Sequence, residues 1–286
     1  MNTIKLYNGL AIPANGFGVY QVSKEDCKKS VLVALQAGYR HINTAQAYFN
    51  ESEVGDALEE TNVPRKDIFL TTKVWIDNYG EGKTYQSVIN SLRKLKTDYL
   101  DLILLHQPIG DYYGAYRDLE KLYKEGIVRA IGVSNFYPDR LVDLCLFSSI
   151  KPMVNQIEIN VFNQQVEAKK WADKYGVVLE AWAPFAEGRN NMFHNETLLS
   201  IADKHHVSVA QIILRWLYER GIVSLAKSIH EERIKENFNI YSFSLDKEDH
   251  ERIASLDTKT SSFFSHQDPN IIEWFGKLIN ERKGKE

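Results

Sequence analysis

The fold class that this sequence predicts is α/β: a (β/α)8 TIM barrel with an N-terminal β-hairpin and a C-terminal extension. Three observations predict it. Short apolar runs alternate with amphipathic stretches along the whole chain of 286 residues. Eight strand-then-helix units can be counted, and eight fit the arithmetic of a barrel that takes about 250 residues. The apolar runs are rich in Ile, Val and Leu and often fail to alternate with polar residues, as strands covered on both faces do.

The first element is a small hairpin, residues 4–6 and 11–13, joined through Asn8-Gly9, a dipeptide suited to a two-residue turn. Buried strands follow at 16–19, 41–43, 69–75, 100–106, 130–134, 154–157, 177–182 and 222–225. Between them lie helical patterns, among them 27–37, 85–95, 116–124 and 167–174. Three of these stop at Gly38, Gly126 and Gly176, and a glycine just past the last periodic residue is the expected helix end. Residues 263–286 fall outside the eightfold pattern and form the extension. A doubly wound open sheet is the competing fold. Its dinucleotide fingerprint is approached only at Gly16-Phe17-Gly18, which lacks the third glycine and has no long strand before it.

Hydrophobic residues make up 44% of the chain and charged residues 26%, a globular and not a disordered composition. Seven prolines, roughly half the usual share, supply no proline-rich linker, so 1–286 reads as a single domain. A net charge of −3 gives no bulk attraction to nucleic acid or anionic membrane, and neither is an expected partner. Cys27 and Cys145 lie far apart and match no metal-ligand spacing; two reduced thiols and no metal are expected. No stretch reaches the ~20 apolar residues of a membrane span. The opening Met1-Asn2-Thr3-Ile4-Lys5 has no apolar signal core behind it. The expectation is a soluble, cytoplasmic monomer.

In such a barrel the functional residues sit where strands end and loops begin. Those positions are Asn43, Lys73, His106, Ser134, Asn135, Gln156, Trp182 and Lys227. Nearly every strand ends in a side chain that can hydrogen-bond or stack, more than a purely structural chain needs. Lys73 emerges from an apolar run, either as a cation set beside an acid or as a lysine reaching for water. His106 closes another apolar run, where simple hydrogen bonding would also account for it. Tyr48 follows Asn43 by five residues, in the loop after the second barrel strand, and is one of fifteen tyrosines.

Taken together these residues resemble a known set. GYRHINTAQAYFNE, from Gly38 to Glu51, is similar to the first signature of the aldo-keto reductases. FLTTKVW (69–75) and LLHQP (104–108) resemble the segments that carry that family's lysine and histidine. GVSNF (132–136), NQIE (155–158), AWAP (181–184), AKS (226–228) and RIKEN (233–237) continue the match in the family's order. The resemblance runs from about Tyr7 to Leu256. It implies NADPH-dependent reduction of an aldehyde or ketone to an alcohol, on a barrel that binds the dinucleotide across its mouth without a glycine-rich loop.

The resemblance gives Tyr48 the role of general acid. A free tyrosine has a pKa near 10, and the ammonium of Lys73 is expected to lower it. His106 would hydrogen-bond the substrate oxygen. Ser134, Asn135 and Gln156 match the residues that hold the nicotinamide carboxamide, and Trp182 the aromatic that stacks on its ring. Lys227, Ser228 and Arg233 match the clamp on the 2′-phosphate, and Glu236 and Asn237 the neighbours of the adenine. A lysine with a forked guanidinium suits a phosphate. Tyr20, Trp75, His106 and the loop 110–116 are expected to line the substrate pocket.

The sequence also departs from the family pattern. Asn43 replaces the catalytic aspartate, Ala226 the proline before the phosphate lysine, Ala183 the serine after the stacking aromatic, and Gln107 the tryptophan after the histidine. Of these only Asn43 touches the chemistry. The motifs resemble the 2,5-diketo-gluconate and methylglyoxal reductase branch, with a small-molecule carbonyl as substrate. A second reading, favoured by Asn43 alone, is a slow-turnover NADPH-binding regulatory or sensor protein on the same scaffold. The tail aromatics Phe263, Phe264, Trp274 and Phe275 fit either a cover over the barrel mouth or packing beneath it.

Overall fold

Two short strands open the chain in the computed structural model, which describes residues 2–283. β1 (Thr3–Lys5) and β2 (Ala11–Pro13) pair antiparallel, Thr3 opposite Pro13. Leu6 and Ile12 of this hairpin bury against Phe69, Leu102, Met153 and Val223. Those four residues stand at or beside the starts of barrel strands, so the hairpin floors the barrel at the end away from the loops that carry function.

The barrel itself is β3 (Asn15–Gly18), β4 (His41–Asn43), β5 (Phe69–Val74), β6 (Leu102–Leu105), β7 (Ile131–Ser134), β8 (Val154–Glu158), β9 (Val178–Trp182) and β10 (Val223–Ala226). All eight are parallel, each beside its chain neighbour, and β10 closes on β3 with Ser224 opposite Asn15. That closure removes the open-sheet alternative. No strand end differs from its expected position by more than two residues. Gly16 and Gly18 lie inside β3, so they are not a phosphate loop. A Cβ on Gly16 would stand 2.7 Å from the His41 ring, and the glycine is there to let that ring pack inside the barrel.

The helices are α1 (Lys24–Ala37), α2 (Glu51–Glu60), α3 (Lys83–Lys94), α4 (Tyr112–Lys124), α5 (Pro138–Phe147), α6 (Val166–Tyr175), α7 (Glu196–His205), α8 (Val209–Glu219), α9 (Glu231–Phe238), α10 (Lys247–Ala254) and α11 (Pro269–Lys283). Gly38 and Gly176 end α1 and α6 in the left-handed region, as expected. The starts of α1 and α4 come earlier than the apolar periodicity suggests. Ser23 and Asp111 cap them, accepting from the backbone N–H of Asp26 and Gly114, and a polar capped turn carries no apolar signal. Cys27 and Cys145 are free thiols in α1 and α5.

The extension crosses the loop end of the barrel. Thr258 N–H donates to the Phe162 carbonyl (2.9 Å). Ser262 N–H donates to Glu158 Oε1, at the end of β8, also at 2.9 Å. The last three residues of the expected extension, 284–286, lie outside the described residues. Among the described residues no helix is long and apolar enough to cross a membrane.

Candidate active site

Pairing of β4 with β5 sets Asn43 opposite Thr71, and Lys73 stands two residues further along on the same face. The Lys73 side chain is fully buried and its ammonium makes three bonds. It donates to Asn43 Oδ1 at 2.6 Å, to the Thr44 carbonyl at 3.0 Å and to the Tyr48 hydroxyl at 3.1 Å. Tyr48 arrives on a short helical turn, Gln46–Tyr48, that Gln46 pins in place. Gln46 Oε1 accepts from Trp75 N–H (2.9 Å) and from Asn78 Nδ2 (3.0 Å), tying the turn to the end of β5. His106, just past β6, packs edge-on against the rings of Tyr48 (5.6 Å) and Trp75 (5.0 Å). The structure thus joins Asn43, Tyr48, Lys73 and His106, four residues spread over more than sixty positions.

Electrostatics in this cluster depart from the sequence expectation. Burial pushes the Tyr48 phenol well above its ordinary value of 10, with Tyr20 and Glu180 adding to the effect. Burial of the phenol thus outweighs the expected depression by Lys73, and burial lowers the lysine as well. Tyr48 therefore holds its proton across the neutral range, the state an acid must start from. Beneath this cluster, inside the barrel, lies a residue that sequence reasoning passed over. Glu180 on β9 is fully buried and accepts from Gln156 Nε2 at 2.6 Å. A lone carboxylate in the apolar run 177–182 was the available signal.

Ser134, Asn135, Gln156 and Trp182 all line the mouth, but they bond to one another. Ser134 Oγ donates to the Gln156 carbonyl (2.8 Å) and Trp182 Nε1 to Asn135 Oδ1 (2.8 Å). Asn135 Nδ2 donates to the His106 carbonyl (3.1 Å) and to Gln107 Oε1 (3.2 Å). Lys227 also lines the mouth, while Ser228, Arg233, Glu236 and Asn237 lie beyond the cavity wall, on α9 and the loop before it. Arg233 is exposed; Asn237 is buried, its backbone carbonyl accepting from Asn15 Nδ2 at 2.8 Å.

The cavity over this cluster has a volume of about 680 Å³. Tyr20 and Trp75 line it as expected, and so do Phe263, Phe264, Trp274 and Phe275, which places the tail aromatics over the mouth. The loop 110–116 does not line it, contrary to expectation. From Tyr112 that segment is already helix α4: Tyr112 packs on Phe136, and Tyr113 donates to Asp143 on α5 at 2.6 Å. Its aromatics are drawn outward by helix packing.

A barrel whose loop end gathers a lysine-bonded tyrosine, a histidine and an aromatic mouth agrees with the comparisons. Residues 8–258 match the model of the Aldo/keto reductase family. The chain belongs to the aldo/keto reductase family. This reductase is 44% identical over 257 residues to the glyoxal reductase of Bacillus subtilis, covering 89% of this chain and 92% of that one. It is 38% identical to the methylglyoxal reductase DkgA of Escherichia coli K12, over 89% of this chain and 93% of the other. A Bombyx mori aldo-keto reductase solved in complex with NADP superposes with a TM-score of 0.88 at 31% identity, over 92% of this chain and 95% of that one. Membership makes the protein an oxidoreductase of carbonyl compounds.

Proposed function

We propose that this reductase converts a small aldehyde or ketone to the alcohol with NADPH, and that vicinal dicarbonyls of the glyoxal and methylglyoxal type are its preferred class. The observation that carries this reading is the Lys73 ammonium 3.1 Å from the Tyr48 hydroxyl at the floor of an aromatic cavity. The named relatives support the substrate class, and the NADP-bound neighbour supports the cofactor. The residues present fit that cofactor. The Trp182 indole is half-buried in the cavity wall, Asn43 Nδ2 is buried without a hydrogen-bond partner among the described residues, and two exposed cations are at hand, Lys227 in the cavity lining and Arg233 beyond it on α9.

When bound, NADPH supplies the hydride. Tyr48 gives its proton to the carbonyl oxygen, and Lys73, bonded to the same hydroxyl, stabilises the phenolate left behind. Asn43 and the Thr44 carbonyl fix the ammonium in the position that task requires. His106 orients the carbonyl oxygen. Tyr20, Trp75 and the tail aromatics exclude water, which strengthens each of these polar contacts.

The test is loss of NADPH absorbance with glyoxal, methylglyoxal, other small aldehydes and keto-sugars, and with NADH in parallel. Turnover fastest with the dicarbonyls is expected. Tight NADPH binding without turnover on any of these would instead favour the regulatory reading, for which Asn43 is the specific observation.

A further inference from the structure

Lys73 is fully buried, and its three hydrogen-bond partners are a side-chain amide, a backbone carbonyl and a phenol. None carries a negative charge while Tyr48 is protonated. A buried ammonium without a counter-charge is costly enough that a lysine sheds its proton instead. Glu180 poses the mirror problem. It is fully buried in the barrel interior, bonded by Gln156 Nε2 at 2.6 Å, with its Oε1 3.5 Å from His41 Nε2. Gln156 is neutral. Burial holds the His41 imidazole down to about 3, so it too is neutral and brings no charge to the carboxylate.

The groups that face the pair are thus Asn43, His41 and the Thr44 carbonyl from β4 and its loop, Tyr48 with His106 packed on it, and Gln156 from β8. Lys73 stands on β5 and Glu180 on β9. His41, 3.5 Å from Glu180, also meets Thr71 Oγ1 at 3.1 Å, and Asn43 and Lys73 stand two residues further along the same faces of β4 and β5, so the carboxylate and the ammonium lie in successive layers of the barrel interior. They share no direct hydrogen bond. Both groups are fully buried, and attraction between buried charges is screened much less than between exposed ones.

We propose that Glu180 is the counter-charge of Lys73: a positioning residue in the barrel core that keeps the lysine protonated where Asn43 supplies an oxygen but no charge. The proposal rests on the reading of Lys73 and Tyr48 as the acid pair. It assigns Glu180 no contact with substrate; the carboxylate acts only through the lysine. The pair ionises together or not at all, so losing one charge discharges the other.

The test uses lysine side-chain NMR of the full chain without cofactor, with pH–rate profiles of NADPH-dependent reduction alongside. In Glu180→Gln the Lys73 titration should fall by about one pH unit or more, and the alkaline limit of activity should fall with it. In the double variant Asn43→Asp/Glu180→Gln, a carboxylate beside the ammonium should bring the titration back to the parent value or above. A Lys73 titration unchanged in Glu180→Gln overturns the proposal. Should that variant fail to fold, Lys73→Met carries the test through glutamate carboxyl NMR. The Glu180 titration should rise, since coupling between two sites is reciprocal, and an unmoved one overturns the proposal. Both titrations are read without turnover. Failure of the carbonyl-reduction reading, seen in the substrate panel, is therefore distinct from failure here.

Discussion

Changing Tyr48 to phenylalanine removes one hydroxyl and leaves a ring that Tyr20 (5.0 Å) and His106 (5.6 Å) still hold in place. The Y48F variant should bind NADPH with nearly the parent affinity and lose about 10²–10⁴-fold in turnover, the worth of a positioned general acid. Steady-state rates beside a cofactor titration check this, and activity above a tenth of the parent's would mean that another group gives the proton. At this scale the sequence is legible where side chains end a strand. Asn43, Lys73 and His106 are such positions, and the structure brings them together with Tyr48. Glu180 is not legible in that way. Its partners come from β4 and β8, and only barrel closure brings a mid-strand carboxylate of β9 within 3.5 Å of His41 on β4.

Helices α2 and α3 meet at Gly55. A Cβ there would stand 2.3 Å from the Lys94 carbonyl oxygen and 3.0 Å from Leu95 backbone atoms, with backbone and no movable side chain in the way. Gly55→Ala gains helix propensity but forces the two helices apart, and overpacking of this kind costs about 1–3 kcal/mol. A lower urea midpoint with unchanged slope is the expected result; an unchanged midpoint would mean that the helices part freely. Helix α9 carries a functional expectation instead. Arg233 is exposed in its first turn, with no ion pair among the described residues, and the proposed NADPH binding assigns it to the 2′-phosphate. Arg233→Ala should weaken NADPH binding by about 1.5–3 kcal/mol, as for a hydrogen bond to a charged group, and leave NADH binding nearly unchanged. Isothermal titration with both cofactors decides it; equal losses would place the 2′-phosphate elsewhere. Element types and strand bounds read well from the apolar runs. The segment 110–116 did not, because three tyrosines look like pocket lining when in fact they pack α4 against its neighbours.

The closed barrel and the tail differ in what they contribute to the molecule. Barrel closure follows from eight repeated units and was legible in their count. The side of the barrel on which the tail lies was not, since aromatic residues cover a mouth and fill a base equally well. The structure anchors residues 258–262 at the end of β8, at its loop and at Arg189 beyond β9, before α11 begins. A chain ending at Asp268 therefore keeps these anchors and loses only the helix. Phe275, 2% exposed, leaves with it, and so does its packing on Trp75 at 5.9 Å and its stacking on His266. The barrel should remain folded, with helix-and-strand circular dichroism close to that of the full chain and NADPH affinity preserved. The cavity, however, loses Trp274, Phe275 and Leu278 from its apolar wall and keeps Phe263 and Phe264. A substrate that loses these apolar contacts should bind less tightly, so KM for the carbonyl should rise roughly tenfold, about 1.4 kcal/mol. Water admitted beside Tyr48 weakens the field of Lys73, so kcat should fall too, though by less than in Y48F. A truncated enzyme with unaltered KM would show that α11 covers the mouth without forming part of the substrate site.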